Sequence, residues 1–289
     1  PAAGCGPGRR MNGVMINGRR TECLETSDRG LLYGDGLFET VAVVDGELCH
    51  WQQHLQRLQA GCRRLVIDAI DEALLTEECR RLVDGAGRSV IKVIVTRGSG
   101  GRGYRTPVRP ASTRILQLHD WPDFPDSYSQ QGVALRTCDI RLGHNPLLAG
   151  IKHLNRLEQV LARQEWDDDG VVEGLLLDTD GSLVEGTMSN LFLVREGVLQ
   201  TPDLQRCGVA GIMRSLVLGS ADRLAVQTEV CRLDCKDLEN AEEVFICNSL
   251  IGIWPVIAID DRKYPKGTIT SRFQELFASG PATNLSWQL

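Results

Sequence analysis

The chain has 289 residues, which is long for one hydrophobic core, and a prior of about 150 residues per domain predicts two domains. Its apolar fraction of 42% and its charged fraction of 24% are ordinary for a globular protein, so extensive disorder is not expected. The net charge is −6 and the basic residues are scattered, which argues against a nucleic-acid partner. No apolar run approaches the roughly 20 residues that a membrane span needs, so no membrane partner is expected.

The ten cysteines indicate a reduced protein rather than a disulfide scaffold. Secreted disulfide scaffolds are usually much shorter, and we identify no signal peptide before the first predicted strand. Cys138 and Cys247 lie in apolar, strand-like runs, where a reduced cysteine acts as a small hydrophobe. We therefore expect a cytoplasmic protein. Residues 1–10, rich in Gly, Pro and Ala, are expected to be a leader or an expression remnant outside the fold.

The first half of the chain alternates strand-like and helical patterns. The spacing of Leu55, Leu58 and Cys62, for example, is that of one helix face. The predicted elements are strands at Met11–Asn17, Glu39–Val44, Val90–Thr96 and Arg114–Leu118, and helices at Trp51–Leu65 and Asp71–Val83. Residues 119–129 hold two prolines and no periodicity, which is typical of a linker. The N-terminal lobe is therefore assigned to residues 11–118.

The second half begins its helical pattern at Lys152–Trp166, an amphipathic segment with Leu157 and Val160 on its apolar face. The other predicted elements are strands at Gly132–Cys138, Gly174–Leu177, Asn190–Val194, Val244–Cys247 and Val256–Ile259, and helices at Ala210–Leu224 and Ser271–Ala278. We assign residues 130–280 to a C-terminal lobe and 281–289 to a tail. Strands and helices in both lobes predict an α/β or α+β fold, with the cleft between lobes as the default site.

A glycine-rich segment, R-G-S-G-G-R-G (Arg97–Gly103), follows a predicted strand and matches the dinucleotide-binding pattern. That pattern requires a helix to begin there, and Pro107 follows too soon for one. We interpret the segment as a flexible, arginine-bearing loop beside a site, with a surface hairpin as the alternative. His50 and His54 are four residues apart, but no further ligands are evident nearby, so we predict no metal site.

Four separate segments carry side chains that suit one site. Lys152, in G-I-K-H-L-N-R-L, opens the predicted helix; taken alone, it would be read as a surface lysine. Glu185 is predicted in a turn-like segment between two apolar strands. The glycine-rich helix start at Cys207–Arg214 offers backbone amides to an anion, and Asn248 and Ser249 follow a buried strand where they could also meet a phosphate. One amine, one carboxylate and two phosphate-type turns suit a pyridoxal phosphate pocket.

The order of these motifs resembles that of the fold-type IV pyridoxal phosphate enzymes. The match comprises Arg57 in H-L-Q-R-L, Lys152 in K-H-L-N-R-L, Glu185 in E-G-T-M-S-N-L-F and the G-I-M-R and C-N-S turns, in one order from Met11 to Ala278. The family includes branched-chain aminotransferases, D-amino acid aminotransferases and aminodeoxychorismate lyases. The segments Y-G-D-G-L-F-E-T, R-G-S-G-G-R-G-Y and K-H-L-N-R-L-E-Q-V-L look most like the lyases. The resemblance implies a homodimer of two-domain α/β (α+β) subunits. A smaller N-terminal and a larger C-terminal lobe would hold pyridoxal 5′-phosphate in the cleft between them.

The resemblance also implies a role for each matched residue. Lys152 would be the Schiff-base and catalytic lysine, and Glu185 would partner the pyridine nitrogen. The implied phosphate ligands are Arg57, the amides of Ile212 and Met213, and Ser249. The sequence departs from the aminotransferases at Asn155–Leu157, where they carry a tyrosine, and at Met213, where threonine is frequent in the family. Both departures weaken an aminotransferase interpretation.

The reaction implied by the lyase-like segments converts 4-amino-4-deoxychorismate to 4-aminobenzoate and pyruvate, a step toward folate. Its substrate carries two carboxylates, for which arginine is the suited partner. The candidate arginines are Arg97, Arg102, Arg105 and Arg156, with a solvated surface arginine as the alternative for each. Two other functions stay open: a D-amino acid or branched-chain aminotransferase, and a non-catalytic protein that binds pyridoxal phosphate.

Overall fold

A computed structural model of the chain describes residues 11–108 and 110–278, and this part divides into two compact units. Unit 1 comprises the described residues through Asp123 together with Lys152–Leu154. Unit 2 comprises Phe124–Ile151 and the described residues from Asn155 onward. The division at Asp123 falls inside the predicted linker, although both ends of that segment belong to regular elements. The expectations for residues 1–10 and 281–289 concern parts of the chain outside the described residues.

Unit 1 is built on one six-stranded sheet with the strand order β2-β1-β6-β5-β3-β4, in which every pairing is antiparallel. Its elements are β1 (Met11–Ile16), β2 (Arg19–Arg20), α1 (Arg29–Tyr33), β3 (Gly36–Val44), β4 (Glu47–Leu48), α2 (Trp51–Leu65), α3 (Glu72–Val83), β5 (Ser89–Thr96) and β6 (Thr113–Asp120). Helix α2 packs against β3, and α3 packs against β1 and β6. The predicted face of α2, including Leu55, Leu58 and Cys62, is buried. Helix α3 begins after Asp71, whose carboxylate accepts from the Leu74 amide as an N-cap.

Unit 2 contains a nine-stranded sheet of mixed direction. Its elements are α4 (Ser127–Gln131), β7 (Val133–Leu142), α5 (Leu157–Arg163), β8 (Val171–Asp178), β9 (Leu183–Gly186), β10 (Asn190–Arg195), β11 (Val198–Pro202), α6 (Ile212–Ser220) with a 3-10 turn (Ala221–Leu224), β12 (Thr228–Cys231), α7 (Cys235–Glu239), β13 (Glu243–Asn248), β14 (Gly252–Ile259), β15 (Arg262–Lys263) and α8 (Thr268–Ala278). The strand order is β12-β11-β10-β13-β14-β7-β8-β9, and β15 pairs with β14. Glu185 of β9 also pairs with Asn190 of β10, which closes part of the sheet into a ring.

Strand β10 shows how the apolar runs of unit 2 are used. Leu191 and Leu193 belong to one buried core, whereas Phe192 and Val194 belong to a second core that α6 and α8 cover. A strand that is buried on both faces reads as a continuous apolar run, which is why β10 and β13 were predictable without strict alternation. Cys138 and Cys247 are fully buried, and the cysteines of the described part are free thiols. Among the described residues, no helix is both long and apolar enough to cross a membrane.

Two predicted local structures are wrong. The helix predicted from Lys152 begins only at Leu157, because residues 152–154 pair with the start of β3 through backbone hydrogen bonds. The apolar face of α5 is then largely exposed within the chain, with Leu157 at 75% exposure. Glu185 lies within strand β9 and not in a turn, since β8 and β10 both pair with this segment.

Candidate active site

Lys152 is held in unit 1 by the first residues of β3. Its carbonyl accepts from the Phe38 amide at 3.0 Å, and the amide of Leu154 donates to the Gly36 carbonyl at 3.0 Å. The Lys152 Nζ atom lies 4.4 Å from the centre of the Phe38 ring, a favourable position for an ammonium group. The Lys152 side chain is half-buried. Its backbone is extended and is held by the two hydrogen bonds to β3.

Arg57 lies in the same unit and is anchored by a buried acid on β3. Its Nε donates to Glu39 Oε1 at 2.8 Å, and Nη2 donates to Glu39 Oε2. His54, one turn earlier on α2, places Nδ1 2.6 Å from the same Oε2 and is fully buried. Burial raises the pKa of Glu39, but Arg57 and His54 outweigh that effect and hold it at about 2. The acid thus stays ionised and fixes the direction of the guanidinium.

The arginine-bearing loop that follows β5 is hydrogen-bonded to α1, and its flexibility stays a prediction. Arg29 of α1 donates to the carbonyls of Gly103 and Tyr104, at 3.0 and 3.1 Å. Asp35 accepts from Arg29 Nε at 2.8 Å and from Arg97 at 2.7 and 2.9 Å. The loop contains no helix over its described residues, consistent with the rejection of a dinucleotide fingerprint.

The four candidate arginines occupy different environments. Arg97 is buried, and besides Asp35 it donates to the carbonyls of Leu65 and Val66, so its donors serve the fold of unit 1. Arg102 and Arg105 are exposed on the loop. Arg156 lies in unit 2 at the start of α5; burial lowers its pKa, and the charges of Glu185 and Glu158 oppose that shift. Arg97 therefore already makes four hydrogen bonds within unit 1.

Glu185 is the buried carboxylate of unit 2, at 4% exposure. Its Oε2 accepts from the Val209 amide at 2.8 Å. Asn190, the partner of Glu185 across the β9–β10 pairing, donates through Nδ2 to the Val209 carbonyl at 2.9 Å. The G-V-A-G segment before α6 is therefore fastened to the strand pair that carries the acid.

The start of α6 is a short distance further along the same segment. Gly211 is the N-cap and supplies no side chain to the first helical amides, which belong to Ile212 and Met213. A Cβ on Gly211 would lie 2.0 Å from the Asn190 Oδ1 atom, so only glycine fits here. Uncapped amides and the positive end of the helix dipole suit an anion.

The turn after β13 is shaped by the Asn248 side chain. Its Oδ1 accepts from the amides of Leu250 and Ile251, at 2.8 and 3.0 Å, and its Nδ2 donates to the Met188 carbonyl at 3.1 Å. Ser249 is the first residue of this turn and is half-buried. Because Cys247 pairs with Asn190, the Glu185 strand, the α6 segment and this turn all adjoin Asn190.

Three acidic or amide side chains that hold these positions have no role in the sequence-based prediction. Asn190 lies in the E-G-T-M-S-N-L-F motif, and Glu39 and Asp35 lie in the Y-G-D-G-L-F-E-T segment, but most of their partners are distant in sequence. The one available signal was a charged residue inside an apolar strand, as for Glu39 in G-L-F-E-T-V-A-V-V.

One group of possible metal ligands occurs among the described residues, at His144, Asp178 and Asp180. Arg206 already pairs with both aspartates, at 3.3 Å to Asp178 and 2.7 Å to Asp180. His144 Nε2 lies 2.9 Å from Asp178. The arginine supplies the positive charge that this group requires, so the cluster is an ion-pair network.

The model of the class IV amino-transferase family matches residues 36–259, a span that contains the Lys152, Glu185 and α6 segments. The chain belongs to this family. Its match to the family covers most of both units, from the start of β3 to the end of β14. The fold-type IV resemblance inferred from motif order is thereby confirmed, together with the mixed α/β fold class.

The class IV relatives of this chain are named for different activities. The crystal structure of 4-amino-4-deoxychorismate lyase from Pseudomonas aeruginosa is 48% identical with a TM-score of 0.89, covering 91% of this chain and 97% of that one. The aminodeoxychorismate lyase of Vibrio harveyi is 35% identical, covering 90% of this chain and 97% of its own length. A putative branched-chain-amino-acid aminotransferase of Methanocaldococcus jannaschii is 32% identical over 92% of this chain and 94% of its own length.

Proposed function

We propose that this chain is a pyridoxal phosphate-dependent aminodeoxychorismate lyase that converts 4-amino-4-deoxychorismate to 4-aminobenzoate and pyruvate. The observation that carries the proposal is the 48% identity, over 91% of the chain, to the lyase of P. aeruginosa. The V. harveyi lyase supports it from sequence, with 35% identity over 90% of the chain. Membership of the class IV family supports the cofactor.

The residues present suit pyridoxal phosphate, which needs an amine, an acid for its ring nitrogen and donors for its phosphate. Lys152 offers the amine, the buried Glu185 offers the acid, and the uncapped start of α6 beside Gly211 offers amide donors. When bound, the cofactor supplies a covalent attachment point for amines and an electron sink for cleavage of neighbouring bonds.

In the proposal Lys152 both holds the cofactor and moves a proton. Lys152 Nζ would hold the cofactor until the substrate amine is bound, and the free Nζ would then take the proton from the ring carbon that bears the substrate amine. Loss of that proton and cleavage of the ring carbon–oxygen bond would leave the aromatic ring of 4-aminobenzoate. The released enolpyruvate would take up a proton and become pyruvate. The backbone bonds to Phe38 and Gly36 fix the segment from which Nζ reaches the substrate.

Glu185 is proposed to keep the pyridine nitrogen protonated. A buried carboxylate next to a ring nitrogen favours the charged pair, because little water is present to screen it. The Val209 amide fixes Oε2, so the direction of the acid is set before any ligand binds. A carboxylate that is held in one orientation by its own hydrogen bond is well suited to bind a charged ring nitrogen.

The phosphate is proposed to bind the amides of Ile212 and Met213, Ser249 and Arg57. Each of these groups has a structural support: Gly211 starts α6, Asn248 shapes the turn at Ser249, and Glu39 directs Arg57. Met213 lacks the hydroxyl of a threonine, so at this position the proposal relies on the backbone amide alone.

The substrate carboxylates are proposed to bind among Arg102, Arg105 and Arg156. Arg97 has a different part, because its donors are engaged by Asp35 and by two backbone carbonyls. Arg29 and Arg97 together hold the loop on which Arg102 and Arg105 lie, through Asp35 and through the loop carbonyls. A fixed loop reduces the conformational entropy that substrate binding would otherwise cost.

A second candidate is an aminotransferase, favoured by the 32% identity to the M. jannaschii protein. An aminotransferase requires a keto acid to return its cofactor to the starting form, whereas the lyase does not. The absence of a tyrosine at Asn155–Leu157 supports the lyase. Incubation of the purified protein with 4-amino-4-deoxychorismate and pyridoxal phosphate tests the proposal, and a protein that forms no 4-aminobenzoate refutes it.

The assembly is proposed to be a cytoplasmic homodimer. The exposed apolar side chains of α5, with Leu157 at 75%, Val160 at 49% and Leu161 at 52% exposure, give a second subunit a surface to cover. The free thiols of the described part are consistent with a reducing compartment. Light scattering of the purified protein tests the dimer.

A further inference from the structure

Glu173 is a buried acid of unit 2 to which the proposed chemistry gives no part. It lies in β8 at 1% exposure, next to the turn that joins β9 to β10. An ionised side chain at this depth is costly unless hydrogen bonds compensate it. Burial raises the pKa of Glu173, and hydrogen bonds from residues 174 and 187–189 oppose that shift.

Three backbone amides and two hydroxyls donate to the Glu173 carboxylate. Oε1 accepts from the Gly174 amide at 2.9 Å, from the Thr187 amide at 3.0 Å and from the Thr187 hydroxyl. Oε2 accepts from the Met188 amide at 3.1 Å and from the Ser189 hydroxyl at 2.9 Å. Both oxygens thus face an amide, which can only donate, so the surroundings suit a carboxylate and not an amide side chain.

The turn that Glu173 holds leads directly to Ser249. The Met188 carbonyl accepts from Asn248 Nδ2 at 3.1 Å, and Asn248 Oδ1 in turn accepts from the amides of Leu250 and Ile251. The turn approaches the acid closely, since a Cβ on Gly186 would lie 2.9 Å from Glu173 Oε2. A shift of the Met188 carbonyl would therefore weaken its hydrogen bond with Asn248 or move the Asn248 side chain.

We propose that Glu173 is a positioning residue that sets the phosphate-binding turn at Ser249 through the Met188 carbonyl and Asn248. The inference rests on the proposed function, because the phosphate of pyridoxal phosphate is what Ser249 is proposed to bind. Glu173 touches neither cofactor nor substrate in this scheme. Its effect passes through two hydrogen bonds, one from the Met188 amide to Glu173 and one from Asn248 to the Met188 carbonyl. Each bond involves one side chain that can be replaced by mutation.

The test compares cofactor release from three holoenzymes: Glu173→Gln, Asn248→Ala and the double variant. Glutamine turns an NH2 group toward at least one amide donor, so the turn must shift. We expect release, followed by absorbance after dilution, to be about fivefold faster in each single variant, the effect of one lost hydrogen bond. The double variant should release no faster than Asn248→Ala. The 31P resonance of the bound phosphate should shift in all three.

Glu243→Gln is the matched control, because Glu243 is also a buried acid and accepts from the Ile269 amide and from the amide and hydroxyl of Thr270. It should lower the thermal midpoint yet release cofactor at the wild-type rate. If Glu173→Gln does not fold, Ser189→Ala removes one donor to Glu173 and should also speed release, by less than fivefold because four donors to Glu173 remain. Wild-type release in these variants, or additive effects in the double variant, would overturn the inference. A wild-type protein that binds no cofactor would instead refute the proposed function.

Discussion

The guanidinium of Arg57 lies edge-on to the carboxylate of Glu39, with Nε 2.8 Å from Oε1 and Nη2 bonded to Oε2. Glu39 is 1% exposed and shares its second oxygen with His54. Burial lowers the pKa of His54, and the charge of Glu39 opposes that shift. Since a carboxylate can only accept, the His54 Nδ1 donates to the acid. Arg57, proposed to bind a phosphate, is therefore oriented before the ligand arrives.

This pair predicts a specific dependence of stability on pH. Burial raises the pKa of Glu39, but Arg57 and His54 bring it to about 2, below the ordinary 4.5. A depressed pKa gives stability that is present above about pH 4.5 and is lost as pH falls toward 2. Glu39→Gln should cost about 3 kcal/mol in the free energy of unfolding near neutral pH, and the difference from wild type should narrow by about 2 kcal/mol by pH 3. Urea titrations measure this; the exposed Glu47→Gln is the control, and a difference that does not vary with pH contradicts the account.

Lys152→Ala is expected to abolish the absorption band of the bound cofactor and nearly all turnover. Borohydride reduction of the wild-type protein, followed by peptide mapping, should place the cofactor on Lys152. Lys92 is the matched control, because its Nζ lies 5.3 Å from the centre of the same Phe38 ring. Lys92→Ala should keep the band, and a cofactor adduct on Lys92 in the wild-type protein would refute the assignment.

Glu185→Gln should retain the cofactor and lose at least about tenfold in kcat, because a neutral amide no longer favours a protonated ring nitrogen. The amide oxygen can still accept from Val209, so the fold should persist. Cofactor content from the absorption spectrum and kcat under saturating substrate check both expectations. Turnover equal to wild type would remove Glu185 from the mechanism.

Single replacement of Arg102, Arg105 and Arg156 by Ala should identify the substrate-binding arginine. Loss of one charge-assisted hydrogen bond costs about 1.5–3 kcal/mol, so at least one variant should lose roughly ten- to a hundredfold in kcat/KM. Arg97→Ala is a contrasting case: it should lower thermal stability and speed tryptic cleavage at the loop, since Asp35 would lose a partner. If all three Ala variants keep wild-type kcat/KM, the carboxylate sites lie elsewhere.

Elements with strong local patterns could be predicted from the sequence. Helix α2 extends from Trp51 to Leu65 as its apolar spacing indicates, and β10 and β13 appear as uninterrupted apolar runs. The segment that begins at Lys152 shows where prediction from a local pattern fails. The apolar spacing after it is helical, but backbone bonds to β3, more than a hundred residues earlier in the chain, hold residues 152–154 extended. Tertiary pairing overrides a local propensity of a few tenths of a kcal/mol per residue.

The candidate site could be outlined from the sequence, but its supports could not. Lys152 and Glu185 stood out because a family motif surrounds each one. Glu39 and Glu173 stand out in the sequence only as charged residues inside apolar strands, and Asp35 does not stand out at all. Only the fold shows which donors surround each acid. Several of their partners lie from 14 to 62 residues away, beyond the range of any helical or strand periodicity.

The proposal as a whole depends on the fate of 4-amino-4-deoxychorismate. Purified protein with pyridoxal phosphate should release pyruvate and 4-aminobenzoate in equal amounts, over many turnovers, with no keto acid added. The pyridoxamine form should not accumulate, because elimination returns the cofactor as an aldehyde. Product quantities and the absorption spectrum can be followed in one reaction. If turnover instead stops after one equivalent and resumes only when 2-oxoglutarate is added, the protein is an aminotransferase and the lyase proposal is wrong.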